Sequence, residues 1–184
     1  HIDKYGRFMP DTIKFPSAAG GKGFEPLADY VHSRGLKFGI HIMRGIPWDA
    51  VAKKMKIKGG KRTAAEIADL NDICDWNSSM TGLDFEYPEA QLYYNSIFEL
   101  YARWGVDFVK IDDVARKFRK NDIKAVNKAM QRCGRDMVIS LSPGPTEVKH
   151  ADFFAQNADM WRISANVWDH WKFVLAQIEN CRTW

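Results

Sequence analysis

The same order of elements recurs three times along this sequence, and it constrains the fold more than any other feature. In each unit, apolar residues at helical spacing lead to a glycine, and a short apolar run follows. The glycines are Gly35, Gly105 and Gly134, and the runs after them are "LKFGIHIM", "VDFVKI" and "MVISLS". Helices that alternate with buried strands are typical of a parallel sheet covered by helices.

Each apolar run ends in polar residues that could carry chemistry, and a fourth run, "ADMWRIS", does the same. The C-terminal ends of the strands of a (β/α)8 barrel meet on one face, where the active site lies. The sequence lacks the glycine-rich phosphate loops GxGxxG and GxxxxGK[ST], so it favours a TIM barrel over an open nucleotide-binding sheet. About four of eight strands are visible, so residues 1–184 are predicted to form part of a catalytic barrel, roughly strands three to six. The polar residues are His41 and Arg44, Lys110, Asp112 and Asp113, Ser140 and Ser142, and Arg162 and Asn166.

Composition narrows the classes of partner. Lys and Arg number 27 against 23 for Asp and Glu, and the two basic runs, "KKMKIKGGKR" and "RKFRK", are interpreted as solvated loops or helix faces. We therefore expect no nucleic acid partner, and the absence of a long apolar segment predicts no membrane partner. Three distant cysteines fit neither a zinc knuckle nor a disulfide framework. The stretch from Pro47 to Asp84 is predicted to be a long, functional excursion with one short helix near residues 63–70.

The end of the run "VDFVKIDD" is the strongest candidate for a reactive group. Lys110 lies two residues before Asp112, hence on the same side of the strand. An ammonium beside a carboxylate favours the ionised form that a nucleophile requires, although a structural ion pair at a barrel rim fits the spacing equally well. Asp113 faces the other way, where it would cap the next helix or join Asp112 in binding a divalent metal.

Other candidates are weaker on their residue type alone. His41 would contact a hydroxylated ligand or satisfy buried backbone groups. Trp161, Trp168 and Trp171 could stack on a sugar, but aromatic residues at this spacing are more typical of a core.

Three stretches, in this order, resemble glycoside hydrolase family 27, the α-galactosidase and α-N-acetylgalactosaminidase family, in its bacterial branch. They are "RFMPDTIKFPSAAGGKGFEPLADYVHSRGLKFGIHI", "YARWGVDFVKIDD" and "MWRISANVWDHW". The resemblance implies a (β/α)8 barrel followed by an antiparallel β-domain, so the remainder of the barrel and that domain are expected in the parent chain. The habit of the family implies a secreted or periplasmic protein.

The resemblance also implies roles for individual residues. Asp112 matches the nucleophile and Lys110 the lysine that bonds sugar hydroxyls, while Arg162 matches an arginine near the 2-position of the sugar. His41 stands where many members have tyrosine. Ser142 stands where α-galactosidases carry glutamate and the N-acetylgalactosaminidase branch carries serine.

The main departure from the family is Asn166, which occupies the position of the catalytic acid/base. A carboxamide neither protonates a leaving group nor activates water. The role would therefore fall to Asp169 or be absent, unless Asn166 is an engineered substitution of the kind used to trap a substrate complex. The resemblance implies a retaining exo-α-glycosidase that hydrolyses terminal α-D-galactosyl residues of oligosaccharides or glycoconjugates, with no cofactor and no metal. The alternatives are an α-N-acetylgalactosaminidase, a β-L-arabinopyranosidase, or a non-catalytic carbohydrate-binding relative.

Overall fold

The structure is a computed structural model that describes all residues, 1–184. Two 3-10 helices, Pro16–Gly21 and Val148–His150, accompany seven α-helices and seven strands. In chain order these are α1 Glu25–Ser33, β1 Gly39–Met43, β2 Ile46–Pro47, α2 Trp48–Ala52, α3 Ala64–Ile67, β3 Ala68–Cys74, β4 Asn77–Leu83, α4 Pro88–Arg103, β5 Phe108–Asp112, α5 Lys120–Arg132, β6 Val138–Leu141, α6 Ala151–Asn157, β7 Met160–Trp161 and α7 Trp171–Thr183.

The main sheet confirms the predicted alternation. Its four strands are parallel in the order β1-β5-β6-β7, and the helices α4 and α5 connect β4 to β5 and β5 to β6. The register places Lys110 opposite His41 on one side and opposite Ser140 on the other. Parallel strands in this register bring their C-terminal ends to the same edge of the sheet, where the polar residues lie.

The two faces of the sheet differ sharply. On β5, Val109 and Ile111 are fully buried in the core, whereas Lys110 and Asp112 are only half-buried. This alternation follows from the two-residue period of a strand. The core therefore fills the space under the helices and leaves the opposite face to carry the candidate site.

Helix α4 shows how the sequence builds this core. Pro88 begins the helix, where its missing N–H costs nothing, and Gly105 lies just beyond its end with a positive φ of 73°. The inner side of the helix buries Tyr93, Tyr94 and Phe98 almost completely. Aromatic burial of this size anchors the helix on the sheet.

The region between residues 47 and 84 differs from its prediction. Instead of an irregular excursion, it contains a three-stranded antiparallel sheet in the order β2-β4-β3. The predicted short helix is present as α3, which begins after a capping box formed by Thr63 and Glu66. These strands were not predicted because β3, "ADLNDIC", does not alternate apolar and polar residues. Its pairing with β4 also has an irregular register.

The opposite end of the main sheet is fastened by Asp107, just before β5. Its carboxylate accepts hydrogen bonds from the Phe38 backbone N–H at 2.8 Å and from Arg135 at 2.7 Å, and His32 lies 2.6 Å away. Burial alone would raise the pKa of Asp107, but these partners outweigh it and lower the pKa to about 2. Asp107 thus ties α1, β5 and the start of β6 together.

Helix α7 begins at Trp171 and ends at Thr183. None of the helices is both long enough and apolar enough to span a bilayer. Cys74, Cys133 and Cys181 are all free thiols.

Candidate active site

A cavity of about 380 Å³ opens at the C-terminal edge of the main sheet. It gathers five of the six predicted site residues from three successive strands and the segments that follow them. Convergence of charged and polar groups from several strand ends is typical of an active site in a barrel. The lining residues are Trp76, Lys110, Asp112, Arg116, Ser142, Pro143, Arg162 and Asn166.

Asp112 is held at both carboxylate oxygens. The backbone N–H of Asp113 donates to Oδ1 at 3.0 Å, and Nε2 of His41 lies 3.3 Å from Oδ2. The expected ion pair with Lys110 is replaced by this pairing with His41, since the register sets the histidine on the neighbouring strand beside Lys110. The sixth predicted residue, His41, therefore contacts Asp112 without lining the cavity, whereas Lys110 is a lining residue.

Asp113 takes neither of its predicted roles. It is 1% exposed, and its Oδ2 accepts a hydrogen bond from Nε of Arg44 at 2.9 Å. It does not cap a helix, because the next helix, α5, begins at Lys120. Its Oδ2 is bound by the buried Arg44, which is a cation. The hypothesis that Asp112 and Asp113 together bind a metal is therefore wrong.

Arg162 and Asn166 form one unit in the segment after β7. Nη1 of Arg162 donates to Oδ1 of Asn166 at 2.8 Å. Thr146 donates to the carbonyl oxygen of Arg162 at 2.9 Å, and Gly144 packs directly on the backbone of Arg162 and Ser164. The loop after β6 therefore fixes the backbone that carries Arg162.

Ser142 is the buried polar group of the cavity. It is 1% exposed, and its hydroxyl has no hydrogen-bond partner in the protein. A buried hydroxyl without a partner is uncommon, and one that lines a cavity is available to a ligand. Asp169, by contrast, is exposed and does not line this cavity.

Three lining residues were not predicted from the sequence: Trp76, Arg116 and Pro143. Trp76 lies at the tip of the β3–β4 hairpin, and the guanidinium of Arg116 lies 5.3 Å from the centroid of its ring. An ion pair of 2.6 Å between Asp75 and Lys117 joins the hairpin to the segment after β5. Trp76 was missed along with the hairpin, and Arg116 because its basic run was interpreted as a solvated surface.

The tryptophans near the C-terminus divide between two environments. Trp161 is partly buried and stacks on Phe154, with ring centroids 5.8 Å apart, as predicted for a core residue. For Trp168 and Trp171 that prediction is wrong, because they are 62% and 68% exposed.

Comparison with known proteins supports the family resemblance. The family described as Alpha galactosidase A matches residues 77–183, more than half of the chain. This chain belongs to glycoside hydrolase family 27. The matched segment includes Asp112, Ser142, Arg162 and Asn166.

Similar proteins span two degrees of relatedness. A solved family 27 β-L-arabinopyranosidase from Geobacillus stearothermophilus is 53% identical, with a TM-score of 0.96 over 100% of this chain and 43% of its own. Human α-galactosidase A is 27% identical over 94% of this chain and 32% of its own length. The α-N-acetylgalactosaminidase of Gallus gallus is 26% identical over 96% of this chain and 36% of its own.

The fold prediction is confirmed by these relationships. The helix-covered parallel sheet is part of the TIM barrel of a family 27 glycoside hydrolase. The chain spans about a third of the curated relatives it matches and under half of the solved structure.

Proposed function

We propose that the protein is a retaining glycoside hydrolase in which Asp112 is the nucleophile. The observation that carries this proposal is the single cavity that brings Asp112 together with Lys110, Arg162 and Asn166. Asp112 would attack the anomeric carbon while Lys110 and Arg162 bind hydroxyl groups of the sugar. A retaining mechanism places its two catalytic groups about 5–5.5 Å apart, and position 166 would supply the second group.

The proposed substrates are terminal pyranosides of the α-D-galactose configuration. β-L-Arabinopyranosides share this configuration and lack only the hydroxymethyl group. The relative at 53% identity is a β-L-arabinopyranosidase, whereas the α-galactosidase relative is 27% identical, and this difference favours the arabinopyranoside. The small side chain of Ser142 lines the cavity and would leave room for an N-acetyl group, so α-N-acetylgalactosaminides belong in the test.

Asn166 limits what the chain can do with an ordinary substrate. A carboxamide gives no proton to the departing oxygen, so we expect the first step to proceed only with leaving groups that depart as stable anions. Water would then lack a general base, and the glycosyl-enzyme would hydrolyse slowly. Azide attacks without losing a proton, so it would release the sugar as a glycosyl azide of retained anomeric configuration.

A second candidate function is carbohydrate binding without hydrolysis. The carboxamide of Asn166 favours this function, because a group that cannot transfer a proton stands at the acid/base position. Its Oδ1 accepts a hydrogen bond from Arg162. In this case the cavity would bind a free sugar, and no covalent intermediate would form on Asp112.

The deciding experiment uses the full-length protein with dinitrophenyl β-L-arabinopyranoside, α-D-galactoside and α-N-acetylgalactosaminide. Asn166→Asp should raise turnover by roughly 100- to 10,000-fold, the usual contribution of general acid–base catalysis. Asp169→Asn is the matched control and should not reduce turnover in the Asn166→Asp background. Equal activity of the wild type and the Asn166→Asp variant, together with loss of activity in Asp169→Asn, would assign the acid/base to Asp169. Sugar binding with no turnover in either protein, with or without azide, would support the binding function.

A further inference from the structure

The residue after the proposed nucleophile has an unusual backbone. Asp113 has φ of 61°, one of two positive values among the non-glycine residues of the chain. Side chains rarely adopt this left-handed region, and aspartate is among the residues that tolerate it best. The N–H of Asp113, in the peptide unit that follows Asp112, donates to Oδ1 of Asp112 at 3.0 Å. The backbone of Asp113 therefore sets the plane of the Asp112 carboxylate.

Arg44 holds Asp113 in this conformation. Its Nε donates to the Asp113 carbonyl oxygen at 3.0 Å and to the Asp113 carboxylate at 2.9 Å. Its own backbone N–H donates to the carbonyl oxygen of Asp112 at 3.2 Å. Arg44 thus contacts both residues at the end of β5 from the neighbouring strand segment after β1.

The contact between Arg44 and Asp113, called the clamp below, is buried and charged. The side chains of Arg44 and Asp113 are 2% and 1% exposed, so water does not compete for these bonds. Nη2 of Arg44 also donates to Asp72 on β3 at 2.9 Å. Burial opposes the charge on Arg44, but Asp122, Asp113 and Asp72 outweigh it and raise its pKa, so the arginine stays cationic.

The consequence for chemistry lies in orientation. A nucleophilic carboxylate must direct a lone pair at the anomeric carbon, and small misplacements slow such reactions strongly. With Oδ1 fixed by the Asp113 N–H, the carboxylate cannot rotate freely about its Cβ–Cγ bond. A side chain that neither touches the sugar nor lines the cavity would therefore control the rate of attack.

We propose that Arg44 is a positioning residue that orients the nucleophile Asp112 through Asp113. This inference rests on the proposed function of Asp112. It adds a role for two buried residues, Arg44 and Asp113, that do not line the cavity.

The test measures the first chemical step separately from sugar binding. Full-length protein is mixed with dinitrophenyl β-L-arabinopyranoside, and the single-turnover release of dinitrophenolate at saturating substrate gives the rate of attack. Calorimetry with free L-arabinose gives the affinity of the sugar site, and thermal melting reports folding. Arg44→Lys keeps the charge but loses the Nε–H that reaches the carbonyl oxygen and the carboxylate Oδ2 of Asp113.

A matched pair at Asp113 separates the clamp from backbone strain. Glycine and asparagine both accept the left-handed conformation, but only asparagine keeps a side-chain oxygen for Arg44. We expect Asp113→Gly and Arg44→Lys to slow the burst on the order of 10- to 100-fold with sugar affinity changed less than about threefold. Asp113→Asn should recover most of the wild-type rate.

Several outcomes would overturn the positioning role. One is a wild-type burst rate in folded Asp113→Gly and Arg44→Lys; another is a loss of rate matched by an equal loss of sugar affinity, which indicates general damage. A wild-type protein with no burst at all would overturn the proposed function first, and the positioning role with it.

Discussion

The carboxylate of Asp107 should contribute a pH-dependent part of the stability that is large for one side chain. It receives hydrogen bonds from the Phe38 N–H and from Arg135, with His32 2.6 Å away, and its side chain is 10% exposed. Despite burial, these partners lower its pKa from 3.8 to about 2. At 1.36 kcal/mol per pH unit, this depression corresponds to about 2 kcal/mol of unfolding free energy.

The sign of the effect follows from the direction of the pKa. The folded pKa lies below the unfolded value, so the contribution is fully present above about pH 4 and is lost as the pH falls through about 2. Asp107→Asn should therefore lower the free energy of unfolding by about 2 to 3 kcal/mol at pH 7. The difference from wild type should shrink steadily between pH 4 and pH 2.

Urea unfolding followed by circular dichroism between pH 2 and pH 7 measures this difference. Asp136→Asn is the matched control, because Asp136 is an exposed neighbour of the same region. It should change the unfolding free energy by less than about 0.5 kcal/mol. A deficit for Asp107→Asn that stays constant down to pH 2, or no deficit at pH 7, would refute the reasoning.

Two further predictions concern a buried acid and the loop beside Arg162. Burial raises the pKa of Asp122 to about 6 against the opposing hydrogen bond from Tyr94, so stability should decline by about 3 kcal/mol as the pH rises from about 4 to about 6. Asp122→Asn should abolish that decline in the same unfolding series, and an unchanged decline would contradict the assignment. Gly144→Ala would place a methyl group against the backbone of Ser164 and Arg162. Calorimetry should therefore show about tenfold weaker sugar binding. Unaltered affinity would show that this loop does not position Arg162 for the sugar.

The sequence supports the main sheet better than the elements around it. Helix, glycine and strand recur with strong periodicity, and β5, "FVKID", alternates buried and half-buried residues as its pattern predicts. The hairpin of β3 and β4 could not be predicted, because its polar strand gains order from contacts such as Asp72 with Arg44. Tertiary contacts of this kind leave no periodic signal.

The candidate site shows a similar division. Strand periodicity places Lys110 and Asp112 on one face, and the family resemblance supplies the roles proposed for them. The partner of Asp112 depends on the register between two strands, which brings His41 rather than Lys110 to the carboxylate. The inward turn of Asp113 depends on one backbone angle and a buried arginine distant in sequence, and neither has a local signature.

The central claim is that Asp112 forms a covalent bond to the sugar, and trapping that bond tests it most directly. The Asn166 protein is mixed with dinitrophenyl β-L-arabinopyranoside, quenched in acid, digested and analysed by tandem mass spectrometry. Because position 166 holds no base to activate water, the glycosyl-enzyme should accumulate, with one pentosyl group attached to the peptide at Asp112. Attachment at another carboxylate, or no covalent sugar while dinitrophenolate is released, would contradict the account.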